Sequence, residues 1–312
     1  MVAKERSEEQ ALRSPPARVR WRRVAVFYLA VYATSYGALG SFLASGGSFR
    51  DASWVFFAQV SALTPAIVAL IITKWLWREP VAAMLKLRPW WNRWLLVAWL
   101  VPWALSLVAL GLGLLVPGVH WDGTLEPAVA AKILSPGQLE MLHEIAAKAS
   151  VPAVVLLVPL GLLSSVSMSF LAGCGEEIGW RGFVYGQLRP LGFWRGALAT
   201  GVLWLGWHLP LLALGYGYPQ HPGLGVLLMT AHLLVSSVGY AYVRERGSTV
   251  AVGLFHGTTE AVALIAVAPL AGGTDLTVGI GSVTWIAADI VIVLGLLAHD
   301  RFAGIRNLTR PR

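Results

Sequence analysis

The sequence predicts an all-α, polytopic integral membrane protein with about eight transmembrane helices. Two observations carry this prediction. Of the 312 residues, 56% are hydrophobic and only 13% are charged, whereas a soluble globular domain is roughly a quarter charged, and the mean hydropathy is +0.65. The apolar residues also gather into stretches of about 20, the length that an α-helix needs to cross a ~30 Å hydrocarbon core.

The apolar stretches give the expected order of the spans. The first, residues 24–44, follows a polar, basic tail at residues 1–23 that lacks apolar periodicity and is predicted to be a disordered cytosolic segment. This stretch exceeds the roughly 7 to 15 residues of a signal-peptide core, so we expect an uncleaved first span. Seven further stretches follow: 53–74, 93–116, 151–172, 194–214, 223–243, 249–270 and 278–298.

The distribution of charge predicts the topology. Eight spans put both termini on the same side, and with the N-terminus in the cytosol every cytosolic loop carries Lys or Arg, as the positive-inside rule requires. The net charge of +8 is therefore explained by topology and by contact with anionic lipids, and not by nucleic-acid binding. We expect an integral protein of the plasma membrane with both termini cytosolic, membrane lipids as partners and no nucleic acid.

The chain is expected to form one domain. No repeat or linker divides it, which predicts a single transmembrane domain at residues 24–298 and a second basic cytosolic tail at residues 299–312. In the longest loop, residues 117–150, apolar residues recur at helical spacing. This spacing predicts an amphipathic surface helix near residues 137–148.

Ionisable residues interrupt the apolar stretches of a core at about residues 150–270. Such a group at membrane depth costs at least a few kcal/mol, and function is the usual reason for keeping one. The interruptions are Glu176, Glu177 and Arg181 after the fourth stretch, His208 in the fifth, His232 in the sixth, and His256 with Glu260 in the seventh. Counted at ~1.5 Å per residue from the nearest cytosolic arginine, Glu176, His208 and His256 lie at a comparable depth of ~15–20 Å, so we expect them to meet.

Spacing gives the two adjacent glutamates different tasks. Glu177 and Arg181 are four residues apart with the acid first, which is the favoured geometry of a helical ion pair. We therefore expect this pair to support the site structurally. Glu176 is turned ~100° away on the helix and lacks that partner, so it is the expected reacting carboxylate.

The helix that carries these glutamates is expected to be tilted or broken. Residues 151–189 are too long for one straight span, and Gly173 and Gly175 are the expected break point. Cys174, the only cysteine, excludes an intramolecular disulfide. The nearby carboxylates disfavour the thiolate that a nucleophile needs, so we expect Cys174 to pack as a small hydrophobe.

The histidines have different predicted roles. His208 lies between two tryptophans and a proline, an apolar setting in which a neutral ring can accept a proton. His256 and Glu260 are four apart and share a helix face, so Glu260 could orient the imidazole or act on water or a metal. The lone His232 is expected to hydrogen-bond to a neighbouring helix. A carboxylate with a neutral histidine activates water and a second histidine stabilises an oxyanion, so these residue types suit hydrolysis.

The motifs, taken together, resemble those of the CAAX-protease and bacteriocin-processing (CPBP) intramembrane proteases. That family carries Glu-Glu-x-x-x-Arg, then an aromatic-x-x-x-His motif, then His-x-x-x-Asn or Asp, on successive helices around a cavity in the membrane. Here residues 176–181 match completely, residues 204–208 have Trp in place of the usual Phe, and residues 256–260 have Glu in place of Asn or Asp. The resemblance covers about residues 150–270.

The resemblance implies an endopeptidase, similar to the Ras-converting CAAX endopeptidase, that hydrolyses a peptide bond in a membrane-associated peptide or protein near the cytosolic half of the bilayer. It implies that Glu176 and His208 activate water while His256 and Glu260 stabilise or orient the oxyanion. Glu260 departs from the pattern, because an amide donates a hydrogen bond to an oxyanion and an ionised carboxylate repels it. Glu260 would then be protonated, orient His256 or bind a metal.

Alternative mechanisms and functions stay open. Family members have been described both as metalloproteases and as glutamate-dependent proteases, and Glu176, His208, His256 and Glu260 could bind zinc with one position left for water. Because His-Glu-x-x-His spacing is absent, we favour the glutamate mechanism, which requires no cofactor. One rival function is a non-catalytic membrane peptide-binding or immunity protein with the same fold, which the departure at Glu260 supports. The other is a proton-coupled transporter, although no inverted repeat is found.

Overall fold

The computed structural model describes residues 18–49, 52–88, 91–125 and 136–302, and these are predominantly helical. Most of each predicted tail lies outside the described residues, but residues 21–23 and 299–302, which were predicted to belong to the tails, are helical. The described ranges contain thirteen α-helices. They are α1 (Trp21–Ala44), α2 (Ala52–Ala62), α3 (Thr64–Ile71), α4 (Val81–Met84), α5 (Trp94–Gly113), α6 (Pro136–Ala149), α7 (Leu157–Ser165), α8 (Met168–Glu177), α9 (Tyr185–Leu188), α10 (Phe193–Ala213), α11 (Pro222–Arg246), α12 (Thr249–Val267) and α13 (Val283–Phe302).

Seven helical segments within the described chain are long and apolar enough to cross a membrane, or up to eight if a bent pair is one span. The predicted all-α, polytopic architecture is therefore confirmed. Six of the seven are α1, α5, α10, α11, α12 and α13, and the seventh is Ser53–Leu76, which joins α2, α3 and a π-helical turn at Ile72–Leu76. The bent pair is Leu139–Ala149 with Ala153–Ser165, whose axes differ by 104°.

The predicted fourth span, 151–172, is not one helix. Residues Ala153–Leu156 form a 3-10 turn, α7 ends at Ser165, and α8 begins at Met168. The break lies at Ser167, whose backbone is not helical, with φ −128° and ψ −108°. The hydroxyls of Ser165 and Ser167 donate to the carbonyls of Leu162 and Leu163, and such side-chain bonds compete with the helical backbone.

The expected break at Gly173 and Gly175 is therefore wrong. Helix α8 runs through both glycines, which serve close packing between backbones. A β-carbon at Gly173 would lie 2.6 Å from the backbone nitrogen of Gly257, and one at Gly175 would lie 2.9 Å from the Cα of Leu63. An isolated glycine in a helical pattern is compatible with a break or with close approach, and here the second explanation holds.

The continuous helical segment from α8 to α9 contains a second irregularity. Residues Ile178–Val184 form a π-helix between α8 and α9, and Arg181 lies within it. π-helical turns are rare and often found at functional sites. The segment carries Glu176, Glu177 and Arg181 and is not among the seven candidate spans.

The loops gather at two ends of the helical bundle. At one end, Arg189 and Arg244 each lie 2.8 Å from the carboxylate of Glu245, and Lys86 Nζ donates to the carbonyl of Arg244 at 2.6 Å. At the other end, His120–Trp121 (β1) pairs with Leu270–Ala271 (β2) in an antiparallel two-residue ladder. The loops predicted to be cytosolic from their basic residues thus share one end.

The predicted amphipathic helix is present as α6 (Pro136–Ala149). Its residues Leu139, Leu142 and Ala146 are buried in an apolar cluster with Leu157 of α7. The buried face of α6 is therefore the one that the helical spacing of its apolar residues predicts. With this face α6 covers one end of the bundle.

Candidate active site

Helices α8 and α12 form the base of the site because their backbones are in direct contact. At Gly257 of α12, a β-carbon would collide with the carbonyl of Ser169, and at Gly253 it would lie 2.8 Å from the Cα of Cys174. The free thiol of Cys174 is partly buried in this contact, in agreement with its predicted packing role. This close approach brings the glutamates of α8 beside His256.

The predicted ion pair between Glu177 and Arg181 is present and completely buried. Arg181 Nη1 donates to Glu177 Oε1 at 2.8 Å, and the two side chains are 0% and 1% exposed. The guanidinium also lies 4.2 Å from the ring centroid of Trp204 and 4.7 Å from that of Tyr240. Each buried charge is therefore paired with the other, and two aromatic faces further stabilise the cation.

Glu177 has a second partner that the sequence analysis did not predict. Its Oε1 atom lies 2.9 Å from Nδ1 of His256, so one carboxylate oxygen contacts both Arg181 and His256. Because Nδ1 donates to this carboxylate, the orientation of the imidazole is fixed, and Nε2 faces away from Glu177. Glu177 is thus the link between the ion pair and the third motif.

Glu176 does not share these partners and is held by Trp204. The indole Nε1–H of Trp204 donates to Glu176 Oε2 at 2.9 Å. Glu176 is 6% exposed and Trp204 is 2% exposed. Trp204 is the residue that replaces the Phe of the second motif, and a phenyl ring has no N–H with which to make this bond. The separation of the two adjacent glutamates into paired and unpaired carboxylates agrees with the prediction from spacing.

Glu260 and His256 face each other along α12, as their spacing predicts. His256 Nε2 lies 3.5 Å from Glu260 Oε1, and the Glu260 side chain is 43% exposed while that of His256 is 7% exposed. The imidazole thus has a carboxylate at each nitrogen, Glu177 at Nδ1 and Glu260 at Nε2. Glu260 is the most accessible of the predicted site residues.

His208 lies beside this group, on the same helix as Trp204. Its Nδ1 is 3.1 Å from the backbone carbonyl of Trp204, which leaves Nε2 for other partners. The rings of His208 and His256 both make T-shaped contacts with the Trp204 ring, with centroids 5.5 Å apart in each case. His208 also interacts electrostatically with Glu260. Trp204 therefore contacts four ionisable residues of the predicted site, Glu176, Arg181, His208 and His256.

Three of these residues could hold a metal ion. Glu176, His256 and Glu260 each offer a ligand atom, and these atoms all lie within 4.8 Å of one another. His208, the fourth member of the zinc set considered from the sequence, does not belong to this group. A histidine that donates its second nitrogen to a carboxylate, as His256 does to Glu177, is typical of metal ligands. The donor chemistry thus fits a divalent cation held by three residues.

The sequence analysis also missed a buried acid next to His232. Nδ1 of His232 lies 2.6 Å from Asp289 of α13, and the hydroxyl of Ser236 is 3.3 Å from the same carboxylate oxygen. His232 therefore makes the predicted bond to a neighbouring helix. Asp289 lies in the apolar stretch 278–298, where an isolated carboxylate is itself a signal that sequence analysis can use.

Fold and site together define a polytopic membrane protein with a buried carboxylate–histidine centre, whose residue types suit hydrolysis. Residues 154–262 match the family model for type II CAAX prenyl endopeptidases, described as Rce1-like. The chain therefore carries an Rce1-like domain, and the resemblance to CPBP proteases is confirmed. The domain supports a CAAX-protease-like intramembrane peptidase in general, and it includes Glu176, His208 and His256. A comparison with curated proteins finds no match.

Proposed function

We propose that this protein is an intramembrane endopeptidase that hydrolyses a peptide bond in a membrane-associated peptide or protein. The observation that carries the proposal is the hydrogen bond that holds Glu176 Oε2 to Trp204 while His208 and His256 contact the same indole ring. Water activation needs a carboxylate that is not part of an ion pair and that has histidines nearby. Glu176 has this arrangement.

In the first step, Glu176 and His208 activate a water molecule. Glu176 accepts a proton from the water as the water oxygen attacks the scissile carbonyl carbon. His208 orients the water through Nε2, the ring nitrogen that does not face Trp204. The carbonyl π electrons move to oxygen and give a tetrahedral oxyanion. Transfer of the proton to the departing amine then breaks the C–N bond and restores the carboxylate.

His256 stabilises the oxyanion in this proposal. Its Nδ1–H is bound to Glu177 at 2.9 Å, so the ring presents Nε2 towards Glu260 and the open side of the site. A donor that is fixed before the reaction begins costs no reorganisation when charge develops on the oxygen. Because Nδ1–H is bound to Glu177, Nε2 donates only when His256 is an imidazolium, and the positive charge of that ring offsets the negative charge of Glu260 beside the oxyanion.

A metal-dependent mechanism is the second candidate, and the grouping of Glu176, His256 and Glu260 within 4.8 Å favours it. A divalent cation bound there would supply Lewis acidity to the scissile carbonyl and would lower the pKa of its bound water. Activity that survives a strong chelator, with less than one equivalent of metal by elemental analysis, would exclude this mechanism. Activity that is lost on chelation and restored by Zn²⁺ would support it over the metal-free mechanism.

The substrate enters from the membrane in this proposal, with lipids as the surrounding partners. We propose that the plasma membrane contains the protein and that both termini are cytosolic, because the basic loops share one end of the bundle. No feature of the chain selects a prenyl group over an unmodified peptide. The assay therefore has to include both lipidated and unlipidated peptides.

The test compares the wild-type protein with Glu176→Gln in proteoliposomes that contain quenched-fluorescent peptides. Glutamine can still accept the Trp204 N–H, so the variant should fold while cleavage falls by at least ~10²-fold, as expected for loss of a general base. Glu140→Gln, a change to an exposed residue of α6, is the matched control. Mass spectrometry of membranes that contain each protein should show new peptide ends that form with the wild type and not with Glu176→Gln.

Three outcomes would contradict the proposal. Full activity in Glu176→Gln would remove this residue from the mechanism. Peptides that bind but are never cut, at any pH, would favour the non-catalytic binding protein. Solute flux that depends on a pH gradient, without hydrolysis, would favour the transporter.

A further inference from the structure

In helix α10, one carbonyl lacks the donor that an α-helix normally supplies. In an α-helix, the carbonyl of Gly206 accepts from the backbone N–H of the residue four positions later. That residue is Pro210, which lies inside the helix and has no N–H. The turn that lacks this bond contains His208.

The first helix supplies the missing donor. The hydroxyl of Tyr36 donates to the carbonyl of Gly206 at 2.5 Å, although the two residues are 170 positions apart. One turn earlier, the hydroxyl of Tyr32 donates to the carbonyl of Leu203 at 2.9 Å. The side chains of Tyr28, Tyr32 and Tyr36 recur every four residues, so they form one face of α1 against α10.

Gly206 has no side chain at the point where this face packs. A β-carbon there would collide with the hydroxyls of Tyr28 and Tyr32. Glycine therefore allows the tyrosines to reach the α10 backbone, and the combination of Gly206 with Pro210 leaves a carbonyl that Tyr36 can bind. The three tyrosines belong to α1 and lie outside residues 154–262, the range of the Rce1-like match, whereas Gly206 and Pro210 lie within it.

We propose that Tyr36 is a positioning residue for His208, and this inference rests on the proposed function. Tyr36 replaces the hydrogen bond that Pro210 removes, and thereby fixes the turn from Gly206 to Pro210 that carries the histidine. Without this donor the carbonyl is unpaired in a setting of low dielectric constant, and the turn moves to find another partner. The His208 ring would then shift relative to the Trp204 indole, which also holds Glu176.

The experiment is a double-mutant cycle between Tyr36→Phe and Pro210→Ala in proteoliposomes with quenched-fluorescent peptides. Tyr36→Phe removes only the hydroxyl and should lower kcat by roughly 10-fold to 100-fold, the scale of a small misplacement of a reacting group, with KM changed by less than about twofold. Pro210→Ala restores the backbone N–H, so Tyr36→Phe should cost less than about threefold in that background.

Tyr32→Phe is the matched control. The carbonyl of Leu203 keeps its helical donor, the N–H of Trp207, so loss of the Tyr32 hydroxyl leaves no carbonyl unpaired. The kcat of Tyr32→Phe should therefore stay close to that of the wild type. An unchanged kcat in Tyr36→Phe, or a loss of the same size with and without Pro210, would overturn the proposal.

Two further readouts keep the inference testable. If Pro210→Ala does not fold, the difference in kcat between Tyr36→Phe and Tyr32→Phe decides it. If the wild-type protein cleaves no peptide, the proposed function fails, and the same cycle measured by thermal unfolding decides whether Tyr36 replaces the hydrogen bond that Pro210 removes. Tyr36→Phe should then lower Tm less in the Pro210→Ala background, and equal shifts in both backgrounds would overturn the inference.

Discussion

The indole nitrogen of Trp204 donates a hydrogen bond to Glu176 Oε2 at 2.9 Å, and this bond joins the first motif to the second. The bond exists because the second motif begins with Trp, where the family usually has Phe. It fixes one oxygen of the carboxylate and leaves the other for water. The same indole contacts both His208 and His256, so Trp204 connects all three motifs.

Replacing Trp204 with Phe should therefore reduce turnover while the fold is kept. The ring that covers Arg181 is retained, but the hydrogen bond to a charged carboxylate, worth about 1.5–3 kcal/mol, is lost. We expect kcat to fall about 10-fold or more in a peptide-cleavage assay. Trp207→Phe is the control, since the indole nitrogen of Trp207 has no hydrogen-bond partner among the described residues. Equal effects of the two changes would show that the bond to Glu176 is not the cause.

The buried pair of Glu177 and Arg181 should be cooperative in stability. Arg181→Met removes the cationic partner of the buried Glu177 carboxylate and leaves it only the bond to His256, and breaking a buried ion pair in this way costs about 3–5 kcal/mol. In Glu177→Gln/Arg181→Met the charge is gone from both positions, so most of that loss should be recovered. Thermal unfolding in detergent measures both variants. A double variant no more stable than Arg181→Met would mean that the two charges do not depend on each other.

Glu260 can be tested by returning it to the residue usual in the family. Glu260→Asn places an amide donor near the oxyanion, so cleavage should be retained or increased. Glu260→Leu removes the carboxylate that orients His256 Nε2, and kcat should fall by up to roughly 10²-fold, the effect of losing an oxyanion donor. If Glu260→Asn instead abolishes cleavage and lowers the bound zinc, Glu260 is a metal ligand.

Asp275 gives a pH-dependent contribution to stability outside the membrane spans. Burial alone would raise the pKa of Asp275, but hydrogen bonds from His221 and from the backbone N–H of Gln220 hold this pKa below its ordinary value. Both contacts are 2.7 Å long. A lowered folded pKa stabilises the fold above the unfolded value of ~3.9, and the stabilisation is lost as the pH falls through the folded pKa.

Asp275→Asn should accordingly lower the free energy of unfolding by about 1–3 kcal/mol at pH 7. The difference from wild type should shrink as the pH falls from ~4, because the wild-type carboxylate then becomes protonated. Melting curves of both proteins at several pH values measure this difference. Glu144→Gln removes an exposed ion pair with Lys148 and should have almost no effect. A difference that stays constant down to the lowest pH would contradict the prediction.

Sequence reasoning found the parts of the site that depend on local spacing. The ion pair of Glu177 with Arg181 and the facing of His256 with Glu260 both follow from helical geometry, because four residues make about one turn. The contact between Glu177 and His256 joins residues 79 positions apart. No local rule predicts which oxygen meets which ring nitrogen, since the packing of α8 on α12 decides it.

Other features were missed because one residue type has several structural uses. Gly173 indicated a break, whereas it permits backbone contact with Gly253 and Gly257. The break occurs instead among serines whose hydroxyls bind the preceding carbonyls. The Phe-to-Trp change in the second motif was visible in the sequence, but its consequence required the position of Glu176. Such cases need tertiary structure, because the partner lies far away along the chain.

The close contact of α8 with α12 restricts how a polypeptide can reach the site. At Gly173 and Gly257 no side chains lie between the two backbones, so there is nothing that can repack to let these helices separate. Glu176 and His256 therefore travel together as one rigid body. A polypeptide therefore has to approach Glu176 and His256 from a side other than the interface between these two helices.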